Sequence, residues 1–157
     1  NYCHVNWKVN SLMIIPKYYF IKDIIEKRNP LSVGAKRAGW VGCNINISKI
    51  PELGRIYLIK DSVIINKNQV QEKWQQTCFL KSQTLEARGW LLDLMLCIEK
   101  IPNQIFTLAQ VYSFEAYLQQ MHPNNNHVKD KIRQQLQFLR DRGMIGFLGG
   151  GKYIKNI

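Results

Sequence analysis

The chain has 157 residues, 46% of them hydrophobic and 21% charged, which supplies a packed core for one domain or two small ones and excludes a disordered tail. Lys and Arg number 22 against 11 Asp and Glu, a net charge of +11 that favours polyanionic partners, nucleic acid first and an anionic membrane second. Residues 1–80 hold 12 cations against 5 anions and residues 81–157 hold 10 against 6, so the excess is not one confined basic tail.

No apolar run reaches the roughly 18 residues of a membrane span, and no signal peptide is visible. The four cysteines, Cys3, Cys43, Cys78 and Cys97, form no C-x-x-C pair, which argues against a zinc ribbon or a thioredoxin-type site. Isolated among apolar neighbours, they read as reduced core residues. The composition is that of a soluble, cytoplasmic protein with no membrane partner. The chain opens at Asn1 directly in strand-like sequence, which leads us to expect a segment upstream.

Residues 7–15 alternate and then run apolar (Trp7, Val9, Leu12, Met13, Ile14, Ile15) up to Pro16, a strand expected to pair with one preceding Asn1. Residues 18–25 fit a short strand or a helical turn, ended by Lys27-Arg28-Asn29-Pro30. In residues 31–43 three glycines and the adjacent pair Lys36-Arg37 surround Trp40, which points to an ordered loop. Residues 43–47, 54–60 and 63–65 read as strands, and residues 66–79 as a polar helix with Val70 and Trp74 on one side.

A boundary falls near Lys81-Ser82-Gln83. Beyond it Leu85, Trp90, Leu91, Leu94, Met95 and Ile98 mark a helix to Lys100, with Pro102 after its end. A short strand at Ile105-Phe106 precedes Thr107-Leu108-Ala109-Gln110, a capping box that opens a second helix carrying Leu108, Val111, Phe114, Leu118 and Met121. After Pro123-Asn124-Asn125-Asn126, residues 127–142 form a third helical pattern, its apolar stripe being Val128, Ile132, Leu136 and Leu139. Residues 145–148 and 152–154 read as two strands around Gly149-Gly150-Gly151. Helix, strand, capped helix, turn, long helix and hairpin is the order of a winged helix-turn-helix. Asn126, His127, Lys129, Lys131, Arg133, Gln134 and Gln137 lie off the apolar stripe, and Lys152 begins the second hairpin strand. Side chains of these types suit base edges and phosphates, so these eight are the candidate DNA contacts of this region.

The run Lys36-Arg37-Ala38-Gly39-Trp40-Val41-Gly42-Cys43-Asn44-Ile45 carries a closer signal. So do Gly54-Arg55-Ile56, Arg88-Gly89-Trp90, Ile132-Arg133-Gln134-Gln135-Leu136-Gln137, Met13-Ile14-Ile15-Pro16-Lys17 and Gly151-Lys152-Tyr153. In these segments the sequence closely resembles the DpnI-like, Dam-replacing protein family, nearly end to end. The resemblance implies a methyl-directed type II restriction endonuclease that cuts GATC when its adenine is methylated, with double-stranded methylated GATC as partner. It implies an α+β fold: residues 1–81 as the C-terminal part of a restriction-endonuclease-like domain of the P-D…(D/E)-x-K type, residues 82–157 as a winged helix. It also implies a methyl-reading loop of Lys36, Arg37, Gly39 and Trp40, with Trp40 packing on the methyl groups and the cations holding DNA. A flat apolar group against methyls in the major groove, flanked by phosphate contacts, is the chemistry such a reader requires.

One part of the pattern is missing. A nuclease of this class needs an acid, then a second acid one residue before a lysine, to hold magnesium and activate water. Glu72-Lys73 and Glu99-Lys100 lack the intervening residue, and Glu86-Ala87-Arg88 has Arg where Lys belongs, so all three read as solvated helix faces. No catalytic residue and no metal ligand is therefore assigned in this chain. The resemblance implies magnesium and zinc for the full-length family and places the carboxylates and zinc cysteines upstream, in a partner fragment or an absent segment. Whether the chain serves an enzyme is left open, and alone it is not expected to cleave. Two alternatives share its features: a winged-helix transcription regulator, and a stand-alone methyl-DNA reader without nuclease activity. A scaffold protein with incidental charge is a further reading.

Overall fold

Short apolar runs cut by Pro, Gly and Asn make short strands, and the first half of the chain is assembled from them. The computed structural model describes residues 2–5 and 7–156. It divides into two compact units, Asn1–Arg88 and Gly89–Ile157, with the division inside a helix.

In the first unit β1 (Tyr2–Cys3) pairs antiparallel with β2 (Lys8–Val9), and β3 (Leu12–Ile14) follows. Two 3-10 turns, Lys17–Tyr19 and Lys22–Ile24, lead into β4 (Ile25–Lys27), whose antiparallel partner is β5 (Cys43–Ile45). After further 3-10 turns at Ile47–Lys49 and Glu52–Gly54, β6 (Ile56–Lys60) and β7 (Val63–Ile64) form a hairpin. The strand order is β3-β6-β7. Helix α1 (Lys67–Thr77), capped by the Asn66 side chain on the Asn68 amide, and a 3-10 turn over Cys78–Ser82 complete the unit. Its core gathers Tyr18, Tyr19, Ile21, Ile24, Ile50, Leu53, Ile56, Phe79 and Leu80. The Tyr18 hydroxyl lies 3.2 Å from Thr77 Oγ1, both buried, which ties the first 3-10 turn to the end of α1.

Residues 7–15 do not form one continuous strand. Trp7 takes a positive φ of 56° and Asn10 bends the chain, so the run breaks into β2 and β3. Among the described residues β2 pairs with β1 and β3 with β6, while the Asn10 carbonyl accepts the Ser62 amide at 2.9 Å. The cysteines also differ from expectation. Cys97 is buried, but Cys3 is half-buried and Cys43 and Cys78 are exposed. Cys43 sits in the two-stranded β4–β5 ribbon, too thin to cover either face, and the Cys78 thiol hydrogen-bonds the Trp74 carbonyl at the end of α1.

Helix α2 (Leu85–Lys100) is the spine of the second unit, with Trp90, Leu91, Leu94, Met95, Cys97 and Ile98 all buried. Leu85, expected on the apolar face, is exposed in the first turn. Strand β8 (Ile105–Thr107) leads into α3 (Leu108–Tyr112), and the capping box forms: Thr107 accepts from the Gln110 amide and Gln110 from the Thr107 amide. The expected second helix is broken. Ser113 Oγ donates to the Gln110 carbonyl at 2.7 Å and Phe114 leaves helical geometry, so a separate α4 (Glu115–Met121) begins. Helix α5 (Val128–Asp141) buries Val128, Ile132, Leu136 and Leu139, the expected stripe, with Gln135 beside them. The hairpin of β9 (Ile145–Gly149) and β10 (Lys152–Lys155) joins β8 in an antiparallel sheet of order β8-β10-β9. Gly149, Gly150 and Gly151 all have positive φ, a backbone that side-chain-bearing residues rarely adopt, so the three-glycine turn has a conformational cause. The result is a helix-turn-helix followed by a β-hairpin.

Candidate nucleic-acid interface

The loop between β4 and β5 is irregular yet braced by several backbone hydrogen bonds. Past the last strand pair, the Arg28 amide donates to the Gly42 carbonyl at 3.0 Å and the Leu31 amide to the Trp40 carbonyl at 2.9 Å. The Gly39 amide returns to the Leu31 carbonyl, the Trp40 amide to Arg37, and the Ala35 amide to Ser32. Gly39, at φ 79°, turns the chain into Trp40. This frame holds Trp40 out, 53% exposed, and leaves Val33 fully in solvent. Lys36 and Arg37 are exposed, as is Arg28, and among the described residues none of the three side chains has a hydrogen-bond or ion-pair partner. The loop thus brings the four expected residues, Lys36, Arg37, Gly39 and Trp40, onto one short segment. It adds Arg28, whose place in Lys27-Arg28-Asn29-Pro30 reads only as the stop after a short strand or helical turn.

The second candidate surface is α5 with the turn before it. Asn126 and His127 lie outside the helix: His127 caps it at φ −127°, its amide bound by the Asn125 side chain at 2.8 Å. Lys129, Arg133, Gln134 and Gln137 are exposed along the helix, Lys131 is half-exposed, and Lys152 is exposed where β10 begins. Most of these cations already have intramolecular partners. Lys129 Nζ lies 3.2 Å from Glu115 and over the Tyr112 ring. Arg133 donates to the Tyr112 hydroxyl and stands 3.9 Å from Asp130, and Lys131 donates to Gln134 at 2.9 Å. Tyr112, on α3, and Glu115, on α4, are absent from any reading of the α5 pattern, because their role comes from an adjacent element.

Behind this surface, His122 Nε2 lies 2.8 Å from Asp93, with Asp93 buried, and the His122 ring stacks on Trp90 at 4.0 Å between centroids. The pair anchors the end of α4 to α2, immediately ahead of the turn into α5. The hairpin is stiffened by rings, Phe106 on Tyr153 at 5.5 Å and Tyr153 against Phe147 at 5.2 Å.

Glu72, Lys73, Glu86 and Lys100 are exposed on helical segments, as a solvated face requires, whereas Glu99 and Arg88 are half-buried, the Arg88 Nε donating to the Gln83 carbonyl at 3.1 Å. Burial pushes the Cys97 thiol up to about 12, which keeps it protonated and unreactive. Among the described residues no three His, Cys, Asp or Glu side chains converge. No helix among them is long and apolar enough to cross a membrane.

Comparison with family models matches residues 1–83 to the Dam-replacing family. Residues 86–155 match the Dam-replacing HTH domain, which coincides with the helix-turn-helix and hairpin of the second unit. The match agrees with the resemblance read from the quoted motifs.

Proposed function

Because the chain belongs to the Dam-replacing family, with a Dam-replacing HTH domain at its C-terminus, we propose that it is the DNA-reading portion of a methyl-directed type II restriction endonuclease recognising GATC with methylated adenine. Residues 1–81 are read as the back of a restriction-endonuclease-like domain and residues 82–157 as a winged helix. The observation that carries the proposal is Trp40: a large ring kept half in solvent by an ordered loop, beside Lys36 and Arg37, which have no partner among the described residues. Removing an indole from the core costs apolar burial, and a ligand with methyl groups in a groove restores it. The α5 face, with Asn126, His127, Lys129, Lys131, Arg133, Gln134 and Gln137, together with Lys152 on the hairpin, serves as the second reader. The cutting carboxylates, with their magnesium and the family's zinc, would belong to a different stretch of polypeptide, because no acid-x-Lys stands in this sequence.

The test is titration of the whole chain with duplexes containing methylated or unmethylated GATC, at one fixed salt concentration. Tighter binding to the methylated duplex without cleavage is the expected result, and equal affinity for both rejects methyl reading. A second reading rests on the same α5 face: a transcription regulator would bind one operator sequence regardless of methylation, and selection from a random duplex pool would recover that sequence.

A further inference from the structure

Gly42 has no backbone reason to be glycine. Its φ is outside the left-handed region, which in this loop only Gly39 enters, and its carbonyl accepts the Arg28 amide at 3.0 Å just beyond the last β4–β5 pair, a bond any residue can make. The reason is spatial. A Cβ on Gly42 would stand 2.8 Å from Cζ3 and 2.9 Å from Cη2 of Trp40, with the Arg28 Cδ at 3.7 Å. The six-membered end of the indole therefore lies against the bare Gly42 backbone, and the aliphatic stem of Arg28 approaches the same place.

We infer that Gly42 is a positioning residue for methyl recognition: its missing side chain makes the seat on which the Trp40 ring rests, fixing which part of the indole is offered to the methyl groups. The inference rests on the reading of Trp40 as the methyl contact. A ring held against backbone by contact, with its own amide and carbonyl tied at 3.1 Å to Arg37 and 2.9 Å to Leu31, loses little freedom when ligand arrives. A methyl placed at Gly42 would enter ring carbons closer than van der Waals contact permits, so the indole must swing away while the loop's hydrogen bonds persist.

The experiment is a double-mutant cycle on the full chain with Gly42→Ala and Trp40→Phe, reading the ratio of affinities for methylated and unmethylated GATC duplexes. Gly42→Ala is expected to lower that ratio about tenfold while affinity for unmethylated duplex holds, a loss within the range of one good groove contact. In the Trp40→Phe background, where the ring end that meets the seat is absent, the same substitution should cost little more. In protein labelled with 5-fluorotryptophan, the resonance missing from Trp40→Phe should be the one Gly42→Ala moves. Additive losses in the cycle, or a Trp40 resonance unmoved by Gly42→Ala, overturn the inference. Trp40→Ala keeps the two levels apart: an intact ratio there rejects Trp40 as the methyl contact. A ratio lost in Trp40→Ala but kept in Gly42→Ala rejects only the seat. Should Gly42→Ala fail to fold, Gly42→Ala with Trp40→Phe, which relieves the clash, must recover folding, or the seat is rejected.

Discussion

The Trp40 loop and helix α5 hold cations in opposite ways. In the loop Arg28, Lys36 and Arg37 project without partners among the described residues, on a segment with no regular secondary structure between β4 and β5. On α5, Lys129 is held by Glu115, Arg133 by Tyr112 and Asp130, and Lys131 by Gln134. Net charge of similar sign therefore means different things in the two regions. Free cations release counterions fully on meeting phosphate, whereas a cation with an internal partner must first give that partner up. Formal charge thus overstates what α5 can contribute and understates the loop.

The largest effect should come from the scaffold beneath α5. Leu136 is wholly buried, and Leu136→Ala is expected to cost about 2–5 kcal/mol of folding stability, seen in thermal or denaturant unfolding. A loss well under 1 kcal/mol would mean that α5 is not packed through this stripe. Next, on the proposed reading of Trp40 as the methyl contact, Trp40→Ala should remove roughly 1–3 kcal/mol of binding to methylated duplex while sparing unmethylated duplex. Equal losses on both duplexes would reduce the loop to a general DNA contact.

The salt dependence sharpens the contrast directly. Replacing Lys36 and Arg37 together by Ala should lower the slope of log affinity against log salt by about 2, one for each phosphate no longer neutralised. Arg133→Ala should weaken binding by about 1 kcal/mol or less, near the lower end for a base or phosphate contact, because its bonds to Tyr112 and Asp130 are given up on binding. A larger loss from Arg133 than from the loop pair would reverse the comparison. The smallest effect expected is a gain: Glu115→Gln frees Lys129 and should strengthen binding by a few tenths of a kcal/mol, about the worth of an exposed ion pair. Weaker binding instead would show that Glu115 positions Lys129 rather than competing for it.

By itself, the amino-acid sequence determined the second unit in some detail: the α2 spine, the Thr107 capping box, the buried stripe of α5 and the glycine turn of the hairpin. Each depends on residues within a few positions of one another, where helical periodicity, capping and backbone freedom act. It also carried the motifs by which the chain resembles its family, and the loop with Trp40 among small residues and cations. Only the tertiary structure decided the rest. It broke residues 7–15 into β2 and β3 and paired β3 with β6, and it split the second helix at Ser113 through a bond to the Gln110 carbonyl. It exposed Cys43 and Cys78, occupied the α5 cations with Tyr112, Glu115, Asp130 and Gln134, and laid the Trp40 ring on Gly42. Most of these outcomes turn on which elements meet, or on where a side chain comes to rest. Periodicity reports which face of a segment is apolar, but not which neighbour's oxygen, ring or bare backbone will stand against it.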